Sequence, residues 1–359
     1  MRASKRKKHS GVVSWIGNVF SSIGEFFSMI IRWIKDFFYG ISVAIHQGIG
    51  KLRKGEKKMG TMSTKRRKEL IFFICLVAYP MIQFLIFYVG VNINSILLAF
   101  QKFDLDTSTF AFLSGEELFE NFSRFINDMV DDSTMIIATQ NSVKLYLAGL
   151  LIGLPLNLVF SFFLYKKIPG AGFFRVVLFL PQIISSLVVS LMFRYFVENA
   201  LPALIGQNLL TQKTTGYNTM IFYNIWAGFG SAILIYTSAM TKIDDSLVEF
   251  GQLEGISLLQ EFWHVTLPLI FPTVTIFLVS GIAGLFTSQA SLFNFYGTGA
   301  RQDMKTLGYI FFVNIMKAEN ASYAQYPYAS AAGLLFTLVA TPVTLVVKWA
   351  LEKFGPSVD

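Results

Sequence analysis

EFGQLEGISLLQEFWHVTLP, residues 249–268, is a mostly polar stretch set between two long apolar runs. A polar stretch between membrane-crossing segments lies in water. This one reads as a short helix, a break at Gly255, a second helix, and a Leu267-Pro268 step into the next apolar run. It has the form of a docking element, with an ordinary amphipathic connector as the plainer alternative.

Composition sets the surroundings of that stretch. Hydrophobic residues make up 53% of the chain and charged residues 14%, with mean hydropathy +0.54. A soluble domain carries about a quarter charged residues, so this is a polytopic membrane protein. The 37 phenylalanines suit lipid-facing and helix-packing surfaces. Cys75 stands alone inside an apolar run, which allows no intramolecular disulfide and reads as a buried, inert thiol. His9, His46 and His264 are too scattered to give metal-ligand spacing.

A spanning helix needs about 20 mostly apolar residues, and six segments qualify: 69–92, 142–164, 173–196, 217–240, 268–290 and 328–350. The expected architecture is therefore all-α. Lys65, Arg66, Arg67 and Lys68 precede the first segment. Lys166, Lys167 and Arg175 lie between the second and third, and Lys348 and Lys353 flank the end of the last. The positive-inside rule puts these on the cytoplasmic side. The 102–133 connection carries eight acids (Asp104, Asp106, Glu116, Glu117, Glu120, Asp128, Asp131 and Asp132) against Lys102 and Arg124, and belongs outside. With that alternation the 249–268 stretch falls in the cytoplasm.

The +8 net charge is unevenly placed: residues 1–68 hold sixteen of the thirty Lys and Arg and only the acids Glu25, Asp36 and Glu56. Beside a membrane segment such clusters hold the N-terminus in the cytoplasm and touch anionic lipid; nucleic-acid binding is not implied. Over 12–49, Ile16, Ile23, Ile30, Ile34 and Ile41 recur at helical spacing opposite Glu25, Arg32 and Lys35. This predicts an amphipathic extension lying in the interface, with a seventh crossing as the alternative. A cleaved signal peptide does not fit, because the apolar character runs too long. The resulting domains are 1–68, a transmembrane body over 69–352 that contains the polar loop 241–268, and a tail over 353–359.

No metalloprotease, P-loop or nucleophile-elbow motif occurs, and no span holds a carboxylate pair. An enzyme is not indicated, and nucleotide-driven work would need a separate ATPase. Lys144 and Arg194 fall near the external ends of spans and read as snorkelling or bundle-end pairing. The fourth segment contains Asn224, Trp226, Gly228, Gly230 and Ser231; the fifth contains Ser280, Gly281, Gly284, Thr287, Ser288 and Gln289. Amides, hydroxyls and an aromatic ring suit a hydroxyl-rich, uncharged solute. Tight packing through small residues accounts for the glycines equally well.

The spacing within 249–268 resembles the EAA loop of ABC importer permeases: Glu249, two residues, three variable, Gly255, nine variable, Val265, one variable, then Leu267-Pro268. Phe250 and Gly251 stand where the family has alanines. Residues 224–268 are similar, without a gap, to permeases of the maltose-type carbohydrate importers; the likeness extends over roughly 69–352, including 79–101 and 166–182. The resemblance implies a six-helix MetI-like core. It also implies that Glu249, Phe250, Gly251, Gly255, Val265, Leu267 and Pro268 couple the chain to a cytoplasmic ATPase. Carried over by position, a sugar pathway would be lined by Asn224, Ala227, Gly228, Ser231, Gly281, Gly284, Leu285 and Ser288. Of these, Asn224 and Gly228 keep the residue types of a maltose site. The smaller residues elsewhere imply a wider cavity and a larger or different carbohydrate, such as an oligosaccharide.

The implied partners are a second permease subunit, two ATPase subunits, an extracellular solute-binding protein, the carbohydrate and membrane lipid. ATP and Mg would be used by the ATPase and no cofactor bound here. The implied location is a bacterial plasma membrane, crossed several times, with the N-terminus cytoplasmic. Rival readings are a permease for a polyamine, phosphonate or glycerol-phosphate compound, and a non-transporting scaffold or sensor working through the basic N-terminus.

Overall fold

In the computed structural model, which describes residues 64–316, 323 and 325–356, six helices are long and apolar enough to cross a membrane. They are Phe72–Leu98, Ser133–Tyr165, Ser186–Ile205, Lys213–Met240, Leu258–Gly284 and Gln325–Phe354, called here the first to sixth spans. The extension expected over 12–49 and the basic cluster at 5–8 lie outside the described residues. Two compact units make up the chain, Met1–Phe84 and Leu85–Asp359. In the first, Cys75 is exposed on the helix Thr64–Gln83 rather than buried, as are its apolar neighbours Phe73, Ile74, Leu76 and Val77.

Two of the expected segments, the third and the fifth, are displaced. The third segment, read as 173–196, is two helices: Ala171–Ile183, with Pro181 in its last turn, then an extended step at Ile184, and the span Ser186–Ile205. Proline removes a donor and crowds the preceding turn, which weakens the helix in its last turn. The fifth, read as 268–290, begins ten residues earlier and stops at Gly284. The second helix of the polar loop is accordingly the start of this span.

Three spans pass a proline by the same device. Leu154, Leu201 and Leu267 each donate their N–H to a carbonyl five residues back (Gly149, Phe196 and Phe262), one residue ahead of Pro155, Pro202 and Pro268. The wider turn makes room for the ring against the carbonyl four residues before it.

Lipid is as apolar as leucine, so spans associate through close packing and interhelical hydrogen bonds rather than hydrophobic burial. The second unit shows both. Leu158 and Phe162 of the second span, Tyr236 and Met240 of the fourth, and Phe262, Ile270 and Val274 of the fifth form one buried cluster. Gly230 lets Ala171–Ile183 lie directly on the fourth span: a Cβ there would meet the Leu178 carbonyl oxygen at 2.8 Å and Phe179 Cα at 3.0 Å. After the fifth span the chain turns through Ala290 and Ser291 into the short helix Leu292–Tyr296 and the apolar helix Leu307–Met316. This return is pinned by polar links: Asn141 to the Asp303 and Lys305 carbonyls at 2.9 and 3.0 Å, and Thr306 to the Ser288 carbonyl at 2.8 Å. Arg194, expected at a bundle end, donates to Glu198 at 2.9 Å and to the Phe295 carbonyl at 2.5 Å.

The two ends of the bundle are distinct. At one, the hairpin Gln101–Asp104 and Thr109–Phe112 leads to the helix Glu120–Asp131. That helix meets the start of the sixth span, where Tyr328 donates to Asp128 at 2.7 Å and Arg124 lies over the Tyr328 ring. At the other, Lys166 after the second span forms an ion pair with Glu261 of the polar loop. The acidic 102–133 connection and the polar loop thus occupy opposite ends, as their charge patterns require.

Candidate functional site: the polar loop and the open glycine face

The polar loop is a helix, a left-handed turn and a re-entry. Asp244 caps the helix Asp245–Leu253 by accepting from the Ser246 N–H at 2.9 Å. That N–H, followed by the Ser246 hydroxyl, holds the Asp244 carboxyl below the ordinary aspartate range. The helix closes in a Schellman motif: Gly255 sits at φ +74°, the Ile256 N–H reaches the Gly251 carbonyl at 3.2 Å and the Gly255 N–H the Gln252 carbonyl at 3.1 Å. Ser257 and Gln260 then form a reciprocal capping box that opens the next helix.

This closure explains one departure from the EAA pattern. Ile256 folds back so far that a Cβ on Gly251 would lie 2.6 Å from its Cδ1. Glycine there leaves room for the Ile256 side chain, which would otherwise have to turn aside. The other departure, Phe250, is exposed, together with Leu253, Leu258, Leu259 and Trp263. Five large exposed apolar side chains on either side of one turn in the sequence make this segment a candidate interaction surface. Glu249 is exposed beside them and makes no ion pair among the described residues. Val265, Leu267 and Pro268 are half-buried in the re-entry. The seven loop positions therefore divide into an outward pair, two glycines that shape the turn, and three residues that aim it into the membrane.

The eight pathway positions separate as well. Gly228 and Gly284 face open space: a Cβ on either would meet nothing within 4 Å. Ser231 is exposed one turn from Gly228, donating to its carbonyl at 3.0 Å. Gly281 is a packing glycine, its Cβ position 2.9 Å from the Tyr146 ring. The Ala227 carbonyl accepts from Gln182 at 2.5 Å, a link sequence reasoning missed because Gln182 lies in the helix misread as part of the third span. Leu285 and Ser288 sit beyond the end of the fifth-span helix, in the bend. Asn224 donates to the Met220 and Ala290 carbonyls at 2.8 and 2.9 Å. Trp226 points elsewhere: two residues from Gly228 is about 200° around a helix. It stacks on Phe193, with centroids 5.9 Å apart, and lines an apolar cavity of about 480 Å³ with Ile152, Phe160, Leu178 and Phe229. Among the described residues no three His, Cys, Asp or Glu side chains converge to hold a metal.

A family model described as "Binding-protein-dependent transport system inner membrane component" matches residues 146–359. The chain belongs to this family. This inner membrane component is 27% identical over 63% of its length to the "Multiple sugar-binding transport system permease protein MsmF" of Streptococcus mutans, covering 79% of that protein. It is 23% identical to the "Arabinooligosaccharides transport system permease protein AraP" of Bacillus subtilis, over 74% of this chain and 83% of that one. Its fold is that of a chain in the crystal structure of a bacterial ABC transporter involved in the import of the acidic polysaccharide alginate, with TM-score 0.64 and 21% identity. The match covers 81% of this chain and 98% of the other. The family model and the six candidate spans agree on a multi-pass membrane protein.

Proposed function

We propose that this permease passes a carbohydrate, an oligosaccharide in particular, from an extracellular binding protein into the cytoplasm. The polar loop takes the motion of a separate ATPase. The observation that carries the reading is the pair of open glycines, Gly228 and Gly284, on consecutive spans and within stretches of sequence that hold no ionic side chain. Residues 214–240 and 265–300 contain no Asp, Glu, Lys or Arg. A charged solute entering such a face would lose its hydration without a counter-charge, whereas hydroxyl groups exchange water for carbonyls and side-chain hydroxyls. Relatives named for sugar and arabinooligosaccharide transport support the same choice.

The basic residues Lys166, Lys167 and Arg175 share an end with the polar loop, and the acidic connection lies at the other. This supports a cytoplasmic loop and, with six spans between them, both ends of the body on that side. There the exposed patch of Phe250, Leu253 and Leu259 would seat on the ATPase, with Glu249 meeting a cation of that subunit. ATP and Mg would be consumed by the partner. Open sides at Gly228 and Gly284 fit a pathway completed by a second permease subunit.

The test is ATP hydrolysis by the reconstituted complex, stimulated by binding protein loaded in turn with neutral oligosaccharides, a polyamine and a phosphonate. Stimulation by the oligosaccharides alone supports the reading. Stimulation by a charged solute instead overturns it.

A further inference from the structure

The ion pair between Lys166 and Glu261 joins two elements that the sequence separates by nearly a hundred residues. The Glu261 side chain is 3% exposed and that of Lys166 15%. Glu261 Oε1 accepts no other hydrogen bond among the described residues. A buried carboxylate with one partner is held to it strongly, because any displacement leaves the charge unpaired and desolvated. The Lys166 ammonium also lies 5.8 Å from the Phe162 ring centre and 5.5 Å from that of Tyr165, which fixes its direction.

Each end of the pair leads somewhere. Glu261 lies in the first turn of the fifth span, directly after the Gly255 turn and the Ser257 capping box, at the point where the loop re-enters the bundle. Lys166 begins the tight turn after the second span, in which Lys167 and Gly170 take positive φ and the Ala171 N–H bonds to the Ile168 carbonyl at 2.9 Å. That turn feeds directly into Ala171–Ile183, the helix whose backbone lies on Gly230 and whose Gln182 donates to the Ala227 carbonyl. Ala227 and Gly230 flank Gly228. Both spans run into the loop, the fourth, which carries Gly228, through residues 241–244 and the fifth, which carries Gly284, through its own first turn. The ion pair therefore adds a lateral tie through a third helix, Ala171–Ile183, to the Gly228 side.

We infer that Lys166–Glu261 is the strut that carries movement of the loop to the Gly228 face, so that both open glycines respond together. Lys166 and Glu261 are thus positioning residues for coupling. The Phe162–Phe262 ring contact, with centroids 5.2 Å apart, adds packing that can slide, whereas the ion pair resists sliding. This inference rests on the transport reading above.

The experiment uses the complete complex in proteoliposomes with oligosaccharide-loaded binding protein, and reads the ratio of stimulated to unstimulated ATP hydrolysis. Lys166→Met, which keeps the apolar stem, and Glu261→Gln should each lower the ratio about tenfold, and the exchanged pair Lys166→Glu with Glu261→Lys should regain it to within about threefold. Native ratios in the single variants, or an exchanged pair as poor as either single, would overturn the strut. If the single variants fail to assemble, Lys166→Arg and the exchanged pair decide: coupling in both supports the strut, and assembled but uncoupled complexes overturn it. An unstimulated native complex removes the transport reading and the strut with it, an outcome separate from stimulated native protein with unaffected variants.

Discussion

Asn224 on the fourth span holds Ala290 in the bend after the fifth: its carboxamide donates to the Ala290 carbonyl at 2.9 Å, and its oxygen accepts from Ser291 Oγ at 3.2 Å. Ala290 and Ser291 stand at φ 52° and 58°, a left-handed conformation that costs an ordinary residue about 1–2 kcal/mol. With the Met220 bond, both Asn224 amide protons are engaged in structure. A solute hydroxyl can reach only the remaining acceptor capacity of its oxygen.

Asn224→Ala should therefore lower stability by about 1–3 kcal/mol, seen as a reduced melting temperature of the purified protein in detergent. A native melting curve with lost uptake would instead mark Asn224 as a solute contact alone.

The glycines of the fourth span should part company. Gly230→Ala forces a methyl against the Leu178 backbone and should cost about 1–3 kcal/mol, whereas Gly228→Ala should melt within about 0.5 kcal/mol of native. Equal melting shifts would contradict the packing assignment.

Bulk at Gly284 enters open space, so Gly284→Phe should leave assembly with the partner subunits intact while stopping uptake. Unchanged uptake would remove Gly284 from the pathway.

Gly255→Ala places a side chain at φ +74° and should destabilise the loop by about 1 kcal/mol, with Gly255→Asn milder. Amide exchange over 251–257 measures the difference.

Acid should loosen the same loop from its other end. Because the native Asp244 carboxyl is held below its ordinary range, its cap stabilises the helix above the ordinary aspartate pKa. The benefit is lost as pH falls through the lowered value. Protection of the amides at 246 and 247 should fall across that window in the native protein and show no such step in Asp244→Ala.

Much of this architecture was legible because membrane burial writes long apolar runs and charge asymmetry into the sequence. Each of the six apolar runs holds a span, although the third and fifth are shifted along the chain. The break at Gly255 was visible because glycine before a capping pair has a specific backbone meaning. The split at Ile184 was not, since hydropathy is blind to a two-residue step inside an apolar run and Pro181 signals weakening without locating it. Gly228 and Gly281 looked alike in sequence; Tyr146 distinguishes them, and it comes from another span. The Lys166–Glu261 pair was hidden for the same reason: Lys166 was legible only as an orientation charge. Phe250 and Gly251 read as departures from a pattern, and only the fold shows that Gly251 lies under the Ile256 side chain.

The most direct measurement is ATP-driven accumulation of labelled oligosaccharides by proteoliposomes holding this permease, its partner subunits and binding protein, compared between native and Glu249→Ala chains. Native complexes should accumulate sugar, and the variant should lose uptake and stimulated ATP hydrolysis together, by about tenfold or more, the scale of a lost charged contact at a buried interface. Equal accumulation by both would contradict coupling through the loop, and hydrolysis without sugar entry in the native complex would contradict the carbohydrate pathway.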